Sequence, residues 1–299
     1  MFFFMLLSYL VTVGYAFEAA TILDCPKIHP HSPATSVYHL RVDDIQIIAA
    51  MGDSITAGML AKNTNLDDTQ AASIANYIKH FQPDVYGASL GEKPARLCQN
   101  TFFCLDAHHD PEIDFLNAAQ TGATSDKLPE QVDYLVQQIG LDTPHAKKWK
   151  LIHLYIGYND ASVACMNPQA VRDYKNNVRK SLEELVHRID YAFINLIGLM
   201  RYDKIHHITD QKPGYKKKFV NDTIHISDYE CYCCSVSNND MGQVIVGYNQ
   251  VLAELAEELN GSIIQNLAGA LTGKMSKNIA VVFQPMNIDI SSIPYYAFR

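Results

Sequence analysis

This sequence is short of two features: basic charge, and apolar runs beyond its N-terminus that are long enough to cross a membrane. Over 299 residues, lysine and arginine total 24 against 32 acidic residues, which gives a formal net charge of −8. The basic residues are scattered except for Lys216-Lys217-Lys218, which we interpret as a solvated loop. A nucleic-acid partner is therefore not expected. The apolar fraction of 48% and the charged fraction of 19% are those of a globular protein.

The N-terminus differs from the rest of the chain because residues 1–16 are almost wholly apolar. This stretch is short for a membrane span, and Gly14 and Ala16 are the small residues that precede a signal-peptide cleavage site. We expect a cleaved signal peptide at 1–16, with an uncleaved anchor or a buried segment as alternatives. Residues 17–299 would then form a single domain that is secreted, or membrane-associated within the secretory pathway.

Secretion would also turn two sequence motifs into glycosylation acceptors. Asn221-Asp222-Thr223 and Asn260-Gly261-Ser262 both have the Asn-x-Ser/Thr pattern. The sequence thus predicts a glycoprotein, provided that the chain enters the secretory pathway.

Seven cysteines, all after Ala16, fit an oxidising compartment. Cys98 and Cys104 are close enough in sequence to bridge a local loop. A second group could pair within itself or with two distant cysteines: Cys231, Cys233 and Cys234, with Cys165 or Cys25. Zinc is the competing interpretation of this group, but it needs four well-spaced ligands and no histidine lies at a matching spacing. We favour disulfides, with one thiol left over by the odd count.

Apolar periodicity predicts alternating strands and helices. Strands are expected at about 45–51, 150–156, 191–199 and 279–284, with a short strand in 114–124 that breaks at Gly122. Helices are expected at about 70–81, 127–139, 168–188 and 241–259, and loops at 83–113 and 201–240. Such alternation predicts an α/β fold with a mostly parallel sheet covered by helices on both faces.

Three loops follow predicted strands and carry polar side chains. Gly52-Asp53-Ser54 follows the first strand, Gly122 ends the short one, and Asn159 comes just after the strand at 150–156. The carboxyl ends of parallel strands share one edge of a sheet, where ligands bind. A serine nucleophile with amide donors around it is the equipment of acyl transfer. Alternatively, Asp53 and Ser54 could only cap a helix, and Gly122 and Asn159 could be turn residues.

These blocks resemble the GDSL (SGNH) hydrolase family. Residues 52–58 (GDSITAG), 117–123 (NAAQTGA) and 157–160 (GYND) are similar to its first three blocks. Further stretches resemble its animal phospholipase B-like branch: 36–41 (SVYHLR), 44–45 (DI), 192–196 (AFINL), 231–233 (CYC), 248–249 (YN) and 281–285 (VVFQP). The likeness runs from about Cys25 to Pro285.

The resemblance implies a three-layer α/β/α sandwich of flavodoxin-like type. It implies Ser54 as nucleophile, with Gly122 and Asn159 as oxyanion donors, and no metal or other cofactor. The implied substrates are phospholipids or other acyl esters, met in transient contact with a membrane or micelle surface.

Two departures from the family stand out. Residues 61–113 do not match the Gly/Trp/Ser-rich stretch of this branch, and the only tryptophan is Trp149. The family's Asp-x-x-His element, which activates the serine, has no counterpart, because residues 286–299 contain no histidine and Asp289 lacks one three residues later. We expect a domain that is C-terminally truncated, by truncation of the sequence or by splicing, and less stable than a full-length relative. None of the twelve histidines is a convincing substitute base.

Three functions remain open at this point. The first is a secreted phospholipase B-like ester hydrolase that acts on phospholipids or lysophospholipids through Ser54. The second is a catalytically impaired protein that keeps the lipid or acyl cleft and binds without turnover. The third is a carbohydrate esterase on the same fold.

Overall fold

The computed structural model describes residues 21–58, 73–91, 109–201, 203–204, 208, 218–219, 224–225, 231–236, 238–269 and 278–294. Several predictions lie outside these ranges: the signal peptide, the Cys98–Cys104 bridge and the Asn221 acceptor. Within the described ranges, no helix is both long and apolar enough to cross a bilayer.

A parallel sheet of four strands forms the centre of the fold. Its strands are β1 (Ile47–Gly52), β2 (Lys150–Tyr155), β3 (Ala192–Ile197) and, last in the chain, Ile279–Gln284. Two short strands between them, β4 (Lys218–Phe219) and β5 (Ile224–His225), form a separate antiparallel pair, so the last strand is β6. The order across the sheet is β1-β2-β3-β6. The four main strands predicted from apolar periodicity are confirmed to within two residues.

The short strand predicted in 114–124 is reduced to a bridge at Asn117, where the Ala118 and Gln120 amides donate to the carbonyls of β1. Only single bridges join Tyr86 and Asn117 to the outer side of β1. Phe115 has a left-handed φ of 49°, and the Asn117 amide bonds back to the carbonyl of Asp114. Both features turn the backbone out of the extended conformation that a strand needs.

Six α-helices flank the sheet in the described chain. They are α1 (Ile74–Phe81), α2 (Leu128–Ile139), α3 (Tyr158–Ser162), α4 (Ala170–Arg188), α5 (Tyr232–Val236) and α6 (Asn238–Gly269). The predictions of α2 and α4 are confirmed, and α6 extends beyond its predicted range in both directions. α1 begins after Ser73, whose hydroxyl accepts the Asn76 amide as an N-cap. The predicted loop 201–240 contains α5 and the start of α6, so it is not irregular throughout.

The helices divide between the two faces of the sheet, which confirms the α/β/α sandwich. α2, α4 and α6 cover one face, where the main core is almost wholly excluded from water: Ile47, Ala49, Ile152, Leu154, Ile194, Leu196, Val281, Leu135, Val178, Leu182, Ile245 and Leu255. α1 covers part of the other face with a smaller cluster: Ile45, Ile48, Ile78 and Leu151. Each fully buried aliphatic side chain of this kind contributes about 1.5–3 kcal/mol.

The cysteine pairing left open above is resolved for five of the seven residues. Cys165 bonds to Cys233, Cys231 bonds to Cys234, and Cys25 is a free thiol. The second group therefore forms disulfides rather than a zinc site.

Asn260, one of the two predicted glycosylation acceptors, is engaged within the fold. Its Nδ2 donates to the Val281 carbonyl at 2.5 Å, and its Oδ1 accepts the Val281 amide at 3.0 Å. The carboxamide of Asn260 therefore holds α6 to β6.

Candidate active site

The corner after β1 is built on a glycine because no side chain fits there. A Cβ on Gly52 would lie 2.2 Å from the Tyr155 carbonyl oxygen and 2.3 Å from Thr56 Oγ1. Gln131 of α2, which is 1% exposed, holds the same residue from the other side. The Gly52 amide donates to Gln131 Oε1 at 2.7 Å, and Gln131 Nε2 donates to the Gly52 carbonyl at 2.9 Å.

Ser54 follows this corner and is half-buried. A turn closed by the Ala57 amide on the Asp53 carbonyl, at 2.9 Å, projects it from the end of β1. Residues 54–58 form turns, and residues 59–72 lie outside the described chain. The Ser54 hydroxyl makes no hydrogen bond to another described residue, so its oxygen is available to a ligand.

Asp53 links this corner to the loop after β2. Its side chain is fully buried, and its Oδ1 accepts the Ile55 amide at 3.0 Å. Burial raises the pKa of Asp53 to about 6; the backbone amides of Gly157 and Tyr158, next to the carboxylate, partly counter that rise. Its Oδ2 has no hydrogen-bond partner among the described residues, which is consistent with a carboxyl group that gives up its proton reluctantly.

The loop that ends at Gly122 lies along the end of β1. The Gln120 amide donates to the Gly52 carbonyl at 3.2 Å, and Asn117 Nδ2 donates to the Thr56 carbonyl at 2.9 Å. Gly122 itself is exposed with φ of 80°, a conformation that favours glycine. Its amide makes no hydrogen bond within the described chain, so it is free to donate to a bound oxygen.

Asn159 lies in the first turn of α3 and is oriented by the Gly122 loop. Its Nδ2 donates to the Ala123 carbonyl at 2.8 Å, while its second N–H makes no hydrogen bond to another described residue. The neighbouring Asp160 accepts both the amide and the hydroxyl of Ser125, at 3.0 and 2.5 Å. Burial raises the pKa of Asp160.

Together, these contacts join the three loops into a ring at one edge of the sheet. The Ser54 corner bonds to the Gly122 loop, and that loop bonds to Asn159. Thr56 Oγ1 closes the ring by donating to the Tyr155 carbonyl at the end of β2, at 3.0 Å. A hydroxyl, a main-chain amide and a carboxamide thus lie on mutually bonded loops. An oxygen nucleophile beside N–H donors can perform acyl transfer through an oxyanion.

A pair of tyrosines, which the sequence did not single out, braces the loop after β2. The hydroxyls of Tyr155 and Tyr158 are 2.9 Å apart, and the Met200 amide donates to Tyr158 at 2.8 Å. The Tyr155 hydroxyl donates to the sulfur of Met286, which follows β6. Burial raises the pKa of Tyr155 to about 12, so this chain of hydroxyls keeps its protons. In the sequence, the only signal for this pair was the presence of two tyrosines close to Gly157.

No histidine side chain in the described chain hydrogen-bonds to Ser54. His153 lies in β2 beside Asn195, at 3.2 Å, and burial lowers its pKa to about 4. His109 bonds to the Phe115 carbonyl instead. After β6, the exposed Asp289 accepts the Ser291 amide and caps a short 3₁₀ turn.

One side-chain group before β1 has the composition of a metal site. Ligand atoms of His31, Asp43 and Asp44 lie within 4.8 Å of one another in the described chain. His31 Nε2 is 3.0 Å from Asp43, and the carboxylate of Asp44 accepts the amides of Ala34 and Arg41. These hydrogen bonds account for the cluster, and it shares no residue with the three loops.

Comparisons with known proteins identify a family whose matched range spans these loops. The family model described as GDSL-like lipase/acylhydrolase matches residues 48–270, a range that contains all three. "Phospholipase B1, membrane-associated" of Mus musculus is 28% identical over an alignment of 212 residues that covers 63% of this chain and 13% of that protein. Its Homo sapiens counterpart is 28% identical over an alignment of 221 residues that covers 66% of this chain and 14% of that protein. The chain therefore spans about one seventh of the length of these relatives.

Proposed function

Because this chain belongs to the GDSL-like lipase/acylhydrolase family, we propose that it is a lipolytic acyl hydrolase acting on phospholipids or lysophospholipids. The observation that carries the proposal is the ring of hydrogen bonds that joins the Ser54, Gly122 and Asn159 loops. The similarity to phospholipase B1 proteins supports a lipid ester as the substrate class.

In the proposed reaction, Ser54 Oγ attacks the carbonyl carbon of the ester. The carbonyl oxygen becomes an oxyanion that accepts hydrogen bonds from the Gly122 amide and from the free N–H of Asn159. Collapse of this intermediate breaks the ester bond, and the alcohol leaves with a proton. Water then hydrolyses the acyl-serine and releases the fatty acid. Loss of one oxyanion donor typically slows such chemistry by about 10²–10³-fold.

The serine proton needs an acceptor, and the described residues offer Ser54 no histidine. Without a base, the oxyanion hole and substrate binding alone sustain only about 10³–10⁴-fold acceleration over water. This observation favours a second candidate function, an acyl-binding protein with little or no turnover. A carbohydrate esterase is the third candidate, and no contact on these loops favours a sugar.

Hydrolysis of lysophosphatidylcholine by the purified full chain, followed as fatty acid released, tests the proposal. We expect Ser54→Ala to abolish hydrolysis and labelling by a fluorophosphonate probe, and Asn159→Ala to slow hydrolysis by about 10²-fold or more. Ser32→Ala, at an exposed serine in the segment before β1, is the matched control and keeps full activity.

The outcomes separate the three candidates. Binding of lysophosphatidylcholine without turnover or labelling identifies the acyl-binding protein. Hydrolysis of acetylated sugars without hydrolysis of lipid esters refutes a lipid substrate. Hydrolysis that survives Ser54→Ala refutes the site itself.

We further propose that residues 17–299 form one domain that works in the secretory pathway or outside the cell. The two disulfides, Cys165–Cys233 and Cys231–Cys234, support an oxidising compartment. Expression in a secreting host followed by N-terminal sequencing tests this. A mature chain that begins at Phe17 is expected, and retention in the cytosol with reduced cysteines contradicts it.

A further inference from the structure

Three exposed apolar side chains lie together beside the candidate site. Val163 and Met166, in the loop after α3, are 41% and 64% exposed, and Tyr232, at the start of α5, is 48% exposed. The Cys165–Cys233 disulfide joins the two segments, and the Cys165 amide donates to Cys233 Sγ at 3.0 Å. We call Val163, Met166 and Tyr232 the apolar patch.

The apolar patch lies at the same edge of the sheet as the three loops. Val163 comes four residues after Asn159, directly behind the short helix α3. A groove of about 730 Å³ opens next to it, lined by residues between Ala164 and Lys175 and by one side of α6. Valines form part of both walls of this groove: Val171, Val244 and Val251.

The two chain segments that carry the apolar patch are uncharged, whereas both signs of charge line the neighbouring groove, at Arg172, Lys175 and Glu254. Residues 161–171 and 231–236 contain no lysine, arginine, aspartate or glutamate. With a net charge of −8 over the chain, attraction to an anionic membrane is not expected. A zwitterionic surface, in contrast, neither repels the protein nor requires basic residues for binding.

We propose that the apolar patch seats the protein on a zwitterionic phospholipid surface, with the three loops facing the lipid. Three side chains are too few for a stable protein interface, which takes about 800 Å² from each partner, whereas a lipid surface sets no such minimum. A tyrosine whose ring is half-exposed suits the headgroup level, because it combines an apolar ring with a polar hydroxyl. The disulfide already holds the two segments together, so little conformational entropy is lost when the patch binds a surface.

This inference deepens the proposed function but is tested without turnover. Sedimentation with phosphatidylcholine vesicles is measured on the Ser54→Ala protein, so a failure of the hydrolase proposal leaves the binding result intact. The test protein carries Val163→Ser, Met166→Gln and Tyr232→Ser. The matched control carries Leu141→Ser, at a side chain 51% exposed after α2, at the opposite edge of the sheet.

We expect the triple substitution to lower the vesicle partition coefficient at least ~30-fold, since each lost apolar contact weakens binding by several-fold. Leu141→Ser should leave it unchanged within about twofold, and Tyr232→Phe alone should retain binding. Added salt should have little effect, because the patch is uncharged.

Other results overturn the inference. The first is a triple variant that melts like wild type and binds vesicles as tightly as wild type. The second is an equal loss of vesicle binding in the Leu141→Ser control. The third is vesicle binding that requires anionic lipid and disappears in salt. Capture of a protein partner by the patch without vesicle binding also overturns it. If the wild-type protein hydrolyses esters, a triple variant that keeps Ser54 should cleave a dissolved short-chain ester at the wild-type rate, because no lipid surface is then involved. Slower cleavage of that ester would show that the substitutions damage the active site rather than surface binding.

Discussion

The contact between Gln131 and Gly52 offers a sharp test of how the candidate site is held in place. Gln131→Met keeps the length and helix propensity of the side chain but removes both hydrogen bonds to Gly52. The Gly52 carbonyl still accepts the Gln120 amide at 3.2 Å, whereas the buried Gly52 amide loses its described partner. A buried unpaired donor costs about 1–3 kcal/mol, and a lost hydrogen bond about 1 kcal/mol more. We therefore expect a loss of about 2–4 kcal/mol in the free energy of unfolding.

Urea unfolding at a constant m-value measures this loss. The control is Gln138→Met, at an exposed position of the same helix, which should stay within about 0.5 kcal/mol of wild type. Because Ser54 comes two residues after Gly52, Gln131→Met should also slow labelling of Ser54 by a fluorophosphonate, if wild type is labelled. Equal unfolding free energies for the two variants would refute the idea that α2 holds the corner.

Two further predictions concern the disulfides and Asp53. Removing Cys165–Cys233, which joins residues 68 apart, should cost about 4 kcal/mol of unfolding free energy. Removing Cys231–Cys234, which joins residues 3 apart, should cost about 2 kcal/mol. Urea unfolding of the two paired alanine variants measures both losses, and equal losses would contradict the dependence on loop length. The pKa of Asp53 is about 6 in the fold and 3.8 as its ordinary value, so the stability that this group contributes is present below pH 3.8 and lost as pH rises through about 6. Between pH 3.8 and 7, the unfolding free energy of wild type should fall by up to ~3 kcal/mol relative to that of Asp53→Asn. Parallel pH profiles of stability for the two proteins would contradict this prediction.

The main strands and helices were predictable because their signals are local. The apolar runs at β2 and β6 and the helical spacing of α2 and α4 can be recognised within a dozen residues, and the alternation of strands and helices then implies a parallel sheet. The positions of Ser54, Gly122 and Asn159 at one edge follow from the same logic, because each comes soon after a predicted or partial strand. The segment 114–124 departs from its predicted strand, since the turn at Phe115 depends on contacts that periodicity does not reveal.

The bonds that hold the loops together were not predictable. Gln131 is 79 residues from Gly52, and Met286 is 131 residues from Tyr155. No pattern in the sequence says that such residues meet, because their separation in space depends on how all the intervening helices pack. The choice of Cys233 rather than its neighbours as the partner of Cys165 was open for the same reason.

The sequence by itself determined the layered α/β fold, the family and the three loops on which a nucleophile and its donors would lie. Tertiary structure alone decided that these loops bond to one another, which cysteines pair, and that Val163, Met166 and Tyr232 form one exposed surface. The physical reason is that backbone conformation and apolar periodicity are encoded over short stretches, whereas hydrogen bonds between distant loops exist only after the sheet and its helices have packed.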